Sequence, residues 1–570
     1  MKLRKFILVL LLLAVVIAPR LPKLDSFVTV DEPFWLSVGA NFYYALGQRE
    51  FENTVYEYHP AVTTMWLVTG AFLVYFPDFR GFGQGYFDVD KNKFDPFLLE
   101  HGKSPLELLY YSRFFQVVLI AFFTLILFLL LSELMGLGES FLLVALAASA
   151  PYFLGHSRLL NHEAMVATFV LTSVLGMIVY LERGRKWYVL FISAAAAALA
   201  QLTKSSAMAM FPVIGLILVV SAFQAMKTQG LGRASADHVK ILALWILGLV
   251  VVYVALWPGM WVAPGKMLYE VYGNAFSYAF QGARLQVTQE LQPSSFNLAA
   301  GGGMIKGFTD YLIWRGTPVM WAGNLLTVAF LFMRAKDPFF NIFRKLVLYL
   351  SVTAFMFILL FSVAQGRNSA HYIMTSHVSM DITAGLGWCA LLAWLGPRWR
   401  LMTNTKVRVP WITALVILQL MSALSFYPYY YTYSNPIMVW RTGQLPISDY
   451  GEGFEQAAAY LAQKADSESL KVFAFRGRGP FSFFFPGETI ILNPLFTEEP
   501  GMGSMLERLA QADYLVINDA LGPRTERTAL FVQALNAAAP EHNIQIKAVQ
   551  TIHIYRVADL PPSFYETISK

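Results

Sequence analysis

The sequence predicts an α-helical polytopic membrane protein of about eleven spans, followed by a C-terminal extracytoplasmic α/β domain. Three observations predict it. Of 570 residues, 56% are hydrophobic and 14% charged, whereas soluble domains carry about a quarter charged. Apolar runs approaching the roughly 20 residues of a span recur as far as residue 427. From Gly451 onward the composition turns ordinary and soluble. Disorder, collagen and coiled coil are excluded, since each needs a more polar or more repetitive chain. The single cysteine, Cys389, excludes an intrachain disulfide framework or a cysteine-rich zinc site. A net charge of +6 on so long a chain fits basic loops, not a nucleic-acid surface.

The spans are read at Phe6–Ala18, Phe114–Leu134, Phe141–Leu154, Ala164–Leu181, Tyr188–Leu202 and Ala207–Phe223, then at Ile241–Trp257, Val319–Met333, Leu346–Ala364, Val378–Leu395 and Trp411–Tyr427. A further apolar run, Ala61–Phe76, is read as an interfacial helix that does not cross. Lys and Arg in short loops favour the cytoplasm. The basic N-terminus and the loops with Arg183 and Lys186, Lys227 and Lys240, Arg334 and Lys345, and Arg398 and Arg408 share one side only if that run stays out of the count. His59-Pro60 at its start and the threonines within it suit an interfacial position. The first segment has the basic start and short core of a signal peptide, but no A-x-A site follows it, so it is read as retained.

This topology makes residues 1–427 a transmembrane domain with outer loops at 19–112 and 258–318, and residues 428–570 an outer soluble domain. In that tail, helices are expected at Glu455–Lys464, Met505–Ala510 and Ala529–Ala538. Strands are expected at Leu470–Phe475, Thr489–Leu492 and Asp513–Ile517, with a strand or hairpin at Ile544–Arg556.

Charges forced close to the outer membrane surface carry the chemical information. Asp31-Glu32 follows span one closely and offers a general base; it also suits a helix start, with Asp31 as N-cap and Pro33 in the first turn. Gly155 to Glu163 packs Arg158, His162 and Glu163 into a short outer turn, as a binding cluster or as interfacial anchors. Lys204 closes span five against the positive-inside trend, which a phosphate partner or snorkelling explains. Gln365 to Tyr372 brings Arg367, His371 and Tyr372 to the same side, as ligands or as a solvated loop. Trp257-Pro258 reads as an interfacial aromatic. No phosphate-cradling GxxxxGK[ST] loop, HExxH or GxSxG is present. Outer carboxylates with several cations suit a phosphate-linked lipid substrate and an acceptor arriving from outside. The carboxylates would take the acceptor proton and the cations would hold the departing phosphate.

The order and setting of these motifs resemble the protein O-mannosyltransferase and aminoarabinose-transferase superfamily of C-fold membrane glycosyltransferases. The resemblance rests on Asp31-Glu32, Tyr58-His59-Pro60 before an apolar helix, Ser112-Arg113, Glu163, Leu202-Thr203-Lys204, Trp257-Pro258, His371-Tyr372, Ser434-Asn435-Pro436 and Gly451-Glu452-Gly453-Phe454. Ala61, His371 and Glu163 depart from residues common in that family. The resemblance implies a polyprenyl-phosphate-linked sugar donor, inverting transfer outside the cytoplasm, and a multi-pass protein of the cell (inner) membrane. It makes Asp31 the base, with Glu32 or Glu163 positioning the acceptor. Arg113, Lys204 and Arg367 would bind the donor phosphate, and His59, Arg158, His162, His371 and Tyr372 would complete the substrate site. The acceptor is left as a glycan, lipid or protein. No cofactor is required, and a divalent cation stays open. A lipid-linked sugar transporter or flippase is the rival reading. It would want ionisable groups at mid-membrane and paired broken helices, and the sequence shows few charges mid-span.

Overall fold

The computed structural model describes residues 2–568 apart from 57–58, 90, 282–297, 334–337, 365–368, 397, 399–403, 447, 493–501, 523–525 and 548–549. Apolar composition leaves the backbone of the first 430 residues one way to satisfy its polar groups in hydrocarbon, and that way is helix. The helices that matter for the site are α1 (Lys2–Ile17), α2 (Glu32–Gln48), α3 (Val62–Tyr75), α4 (Pro105–Leu134), α5 (Leu137–Ser149), α6 (His162–Glu182) and α7 (Trp187–Thr203). They continue as α8 (Phe211–Gln229), α9 (Leu231–Leu256), α10 (Leu298–Arg315), α11 (Pro318–Leu331), α12 (Pro338–Val363), α13 (Met374–Leu395) and α14 (Thr405–Leu424). Among the described residues, seven helices are long and apolar enough to cross a membrane, and four shorter apolar ones accompany them.

Nearly every residue of α6 is buried, so α6 is the axis of the bundle. α7 packs along it, α4 and α13 also contact it, and α11 and α12 pack on α13. The α11–α13 contact is close because a Cβ at Gly387 would lie 2.0 Å from the Gly323 carbonyl oxygen; only hydrogen fits there, as small residues at membrane helix contacts allow.

α3 is bound at both ends to the ends of neighbouring helices. Thr63 shares a hydrogen bond of 2.8 Å with Thr203 at the end of α7. Trp66 donates to the Leu256 carbonyl at the end of α9. At the far end of α3, the Tyr75 hydroxyl accepts from Ser104 N, the residue that caps α4. Both ends of α3 therefore meet the same ends of its neighbours.

Three segments differ from the sequence reading. α4 begins at Pro105, so Arg113 lies in its third turn and does not open it. Capping by Ser104 and Pro105 at the first helical position extend the helix beyond the apolar run. The span read at Phe141–Leu154 is broken at Ala150 before Pro151, where a short helix, Pro151–His156, begins. Gly301-Gly302-Gly303, read as the middle of a loop, lies inside α10.

Beyond α14 the chain forms α15 (Phe454–Ala462), β1 (Lys471–Phe475), β2 (Glu488–Leu492), α16 (Met502–Ala510), β3 (Tyr514–Asn518), α17 (Glu526–Leu535), β4 (His542–Ile546) and β5 (Gln550–Arg556). The sheet order is β2-β1-β3-β5-β4. β1 pairs in parallel with β2 and β3; β5 pairs antiparallel with β3 and β4. β3 is buried along its whole length, and Phe454, Leu461, Phe531 and Phe564 cover the sheet. The strand-or-hairpin expected at Ile544–Arg556 is the β4–β5 hairpin.

Where α15 meets the segment after α14, Glu455 accepts hydrogen bonds from the Tyr429 hydroxyl and from Gly453 N. Burial nevertheless pushes its carboxyl up to about 7. The folded chain therefore holds this proton more tightly than the unfolded chain does. Its contribution to stability is complete below the unfolded value, near pH 4.3, and is lost as pH rises through about 7. Melting temperature should fall between pH 5 and pH 8, and Glu455→Gln should flatten that dependence, by an effect on the order of 2 kcal/mol.

Candidate functional site

The site is built at the ends of α4, α6 and α7 that face α3. Its foundation is Glu32, the first residue of α2, which is fully buried. Oε1 accepts from Arg113 Nε at 2.7 Å and from Leu160 N at 2.8 Å. Oε2 accepts from Thr29 N and Thr29 Oγ1, each at 2.8 Å, and from Arg113 Nη2. Arg113 is only 1% exposed, and its Nη1 donates to the carbonyls of Leu24 and Phe27. Four of its N–H groups are thereby engaged. Arg113, read as a phosphate ligand, and Glu32, read as an acceptor-positioning acid, are instead each other's partners inside the protein.

Asp31 behaves differently. It is exposed, and its side chain caps nothing, so the N-cap role is not the one it fills. Its Oδ2 accepts from the Tyr450 hydroxyl at 3.0 Å. The Tyr450 oxygen in turn accepts from Asn161 Nδ2 at 3.2 Å. The Asp31 carboxyl is raised above the ordinary range. Loss of solvation is the largest cause and nearby Glu163 adds to it, while His371, the Tyr450 hydrogen bond and Arg476 act in the opposite direction.

Glu163 lies in the first turn of α6, which Asn161 caps by accepting from Glu163 N at 3.0 Å. Its carboxylate holds the Lys204 ammonium; the two residues are 7% and 4% exposed. Lys204 sits in extended backbone at the end of α7, with its Nζ 4.6 Å from the centre of the Tyr372 ring. Lys204 thus stands beside the recess already paired.

Rings line the rest. His371 is 4.4 Å from Tyr372, 5.9 Å from Tyr450 and 6.0 Å from His156, centroid to centroid. His162 packs 4.1 Å from Trp35 and 6.0 Å from His59, and its Nε2 is buried without a hydrogen-bond partner. Arg158, read as a substrate ligand, is turned inward: its Nη2 donates to the carbonyls of Pro22 and Lys23. Arg367 lies outside the described residues. The structure gathers Asp31, Glu163, Lys204, His371 and Tyr372 into one neighbourhood and His59, His162 and Trp35 into an adjoining one.

Sequence reasoning did not single out Tyr450, Asn161, His156 or Arg315. Arg315 ends α10, donates from Nη1 to the carbonyls of Thr432 and Tyr433, and sits 5.6 Å from the Tyr152 ring centre. Its position against the positive-inside trend was the available signal. Beyond Trp35, whose ring is 6.1 Å from Tyr56, a cavity of about 270 Å³ is lined by Asn41, Asn53, Tyr56, Tyr86 and Lys266. Among the described residues no three His, Cys, Asp or Glu side chains converge to hold a metal ion.

No family model matches the chain and no curated protein matches it. Among solved structures it is similar to ArnT from Cupriavidus metallidurans bound to undecaprenyl phosphate. That match has 14% identity and a TM-score of 0.45 and covers 97% of this chain and 99% of the other. It is similar to the Archaeoglobus fulgidus oligosaccharyltransferase in the apo form at 12% identity and a TM-score of 0.43, over 93% and 71% of the two chains. The S. cerevisiae protein O-mannosyltransferase Pmt1-Pmt2 complex bound to the sugar donor matches at 17% identity and a TM-score of 0.35, over 50% and 37%.

Removing one partner of a buried ion pair strands the other, which costs about 3–5 kcal/mol. Arg113→Met and Glu32→Gln should each lower the melting temperature sharply, whereas Asp31→Asn should leave it nearly unchanged. Thermal denaturation of the three purified variants in one detergent checks this contrast.

Proposed function

We propose that the protein is a membrane glycosyltransferase that moves a sugar from a polyprenyl-phosphate donor to an acceptor hydroxyl on the extracytoplasmic side, with inversion at the anomeric carbon. The observation that carries this reading is an open Asp31 carboxylate beside a closed Glu32–Arg113 pair, in the motif order that resembles C-fold glycosyltransferases. An acceptor hydroxyl is too weak an acid to attack unaided, so a positioned base must take its proton as the new bond forms. Tyr450 occupies one oxygen of Asp31 and leaves the other for that proton. The acceptor oxygen then bonds to the anomeric carbon from the face opposite the phosphate. The bond from that carbon to the phosphate oxygen breaks, and the polyprenyl phosphate leaves with the electron pair. Lys204, paired with Glu163, and Arg315 are the cations beside the recess that support the developing phosphate charge. The raised affinity of Asp31 for a proton suits a base that works near neutrality. In this reading the recess and residues 428–570 lie outside the cytoplasm, and the basic loops lie within it.

Asp31→Asn keeps the shape and the Tyr450 contact, so transfer should fall about 10²–10⁴-fold with melting temperature retained. Near-normal transfer by this variant would remove Asp31 from the role. Transport of a lipid-linked sugar in proteoliposomes, with no transfer, would favour the flippase.

The base works as its carboxylate. The acid limb of the pH–rate profile should therefore rise through a value above the ordinary aspartate range, in the direction in which lost solvation and the Glu163 charge move the Asp31 carboxyl. Lys204→Ala should raise the apparent Michaelis constant for donor more than it lowers turnover.

A further inference from the structure

The helices that hold the recess at one end build a second pocket at the other. α1, α4, α6 and α7 surround a cavity of about 230 Å³, whose lining includes Lys5, Glu133, Arg183 and Lys186. Along α4, Glu133 lies twenty residues beyond Arg113, a rise of about 30 Å and so one hydrocarbon thickness. The pocket therefore opens at the opposite membrane interface.

Its charge is unbalanced. Arg183 follows α6 and donates from Nε to the Glu133 carbonyl at 2.6 Å and from Nη2 to the Leu134 carbonyl at 3.2 Å. These bonds close the C-terminus of α4 and fix the guanidinium at the rim. Lys186 approaches Glu133 at 3.9 Å. The neighbouring cations Lys345 and Arg185 are taken by Glu182 and Asp237. Lys5 has no carboxylate partner among the described residues. Three cations thus meet one carboxylate. Below this rim the wall is apolar, with Leu129, Leu130, Val179 and Ile192. Tyr188 and Phe191 stand exposed on the adjoining face of α7.

We propose that this pocket binds an anionic phospholipid of that leaflet. Its phosphodiester lies between Lys5 and Lys186, and its acyl chains lie against Leu129, Val179 and Ile192. A free phosphate compound would use the rim alone, and a zwitterionic lipid would use chiefly the wall. The bound lipid ties together α4, α6 and α7, the helices that carry Arg113, Glu163 and Lys204, and so stabilises the folded protein by mass action.

The test is native mass spectrometry and thermal denaturation of the full chain in detergent. The probes are phosphatidylglycerol, phosphatidylcholine with identical chains, and glycerol 3-phosphate. Phosphatidylglycerol should bind at least tenfold more tightly than phosphatidylcholine and should raise the melting temperature, and glycerol 3-phosphate should not. Each lysine near a charged lipid surface is worth about a fivefold change in affinity, so Lys5→Gln/Lys186→Gln should weaken phosphatidylglycerol about 30-fold. Lys345→Gln should leave its binding unchanged. Equal binding of the two lipids, an equal effect of glycerol 3-phosphate, or unchanged affinity in the double variant would overturn the proposal. If the double variant does not fold, Lys5→Gln alone must still weaken binding about fivefold, and failure to do so overturns it equally.

Discussion

The Glu32–Arg113 pair is the constraint on which the rest of the site depends. A carboxylate and a guanidinium withdrawn from water lose solvation worth several kcal/mol each, and only a nearly complete set of hydrogen bonds offsets that. Glu32 obtains it from three separated parts of the chain: Thr29 before α2, Arg113 within α4, and Leu160 before α6. Arg113 adds the carbonyls of Leu24 and Phe27. The turn leading out of α1 is thereby fastened to the bundle, and Asp31, the next residue along, has its position fixed without itself being consumed.

Other buried cations follow the same logic. Arg20, fully buried, donates to Ser157 Oγ and to the carbonyls of Val16 and Ala148. Arg158 ties the same turn to Pro22 and Lys23. This explains what the sequence could and could not tell. Most helix positions and the alternation of the C-terminal domain follow from hydrophobic runs and periodicity, which are local. The order of spans and loops also led to Asp31, Glu163, Lys204 and His371 being expected on one side, and the structure gathers these four residues in one neighbourhood. Whether a charge there meets a ligand or another part of the protein is a tertiary matter. Arg113 and Arg158 look alike in sequence to free cations, and the chain uses both internally. Tyr450 carried no local signal, because its partners Asp31 and Asn161 are 419 and 289 residues away.

The C-terminal domain reaches the site through two loops. One brings Tyr450, with Val30 N donating to its carbonyl at 3.2 Å. The other is Arg476-Gly477-Arg478-Gly479. Arg476 forms a two-bond pair with Asp449. Arg478 binds Asp95 and the Ser37 hydroxyl, joining this loop to the segment between α3 and α4 and to α2. Gly479 has φ +86°, and a Cβ there would stand 2.2 Å from Pro33, so the close seat against α2 requires glycine.

The long separation between Asp31 and Tyr450 has a biosynthetic consequence. Ribosomes add about 5–20 residues per second, so Asp31 is already at the membrane for roughly 20–80 s before residue 450 has been made. Throughout that interval the nascent chain holds Asp31 without its phenol partner and without the loop that seats on Pro33. The recess is finished only when the last apolar helix has been inserted and the soluble domain has folded back against the first loop, so a chain abandoned midway carries an incomplete site into the bilayer.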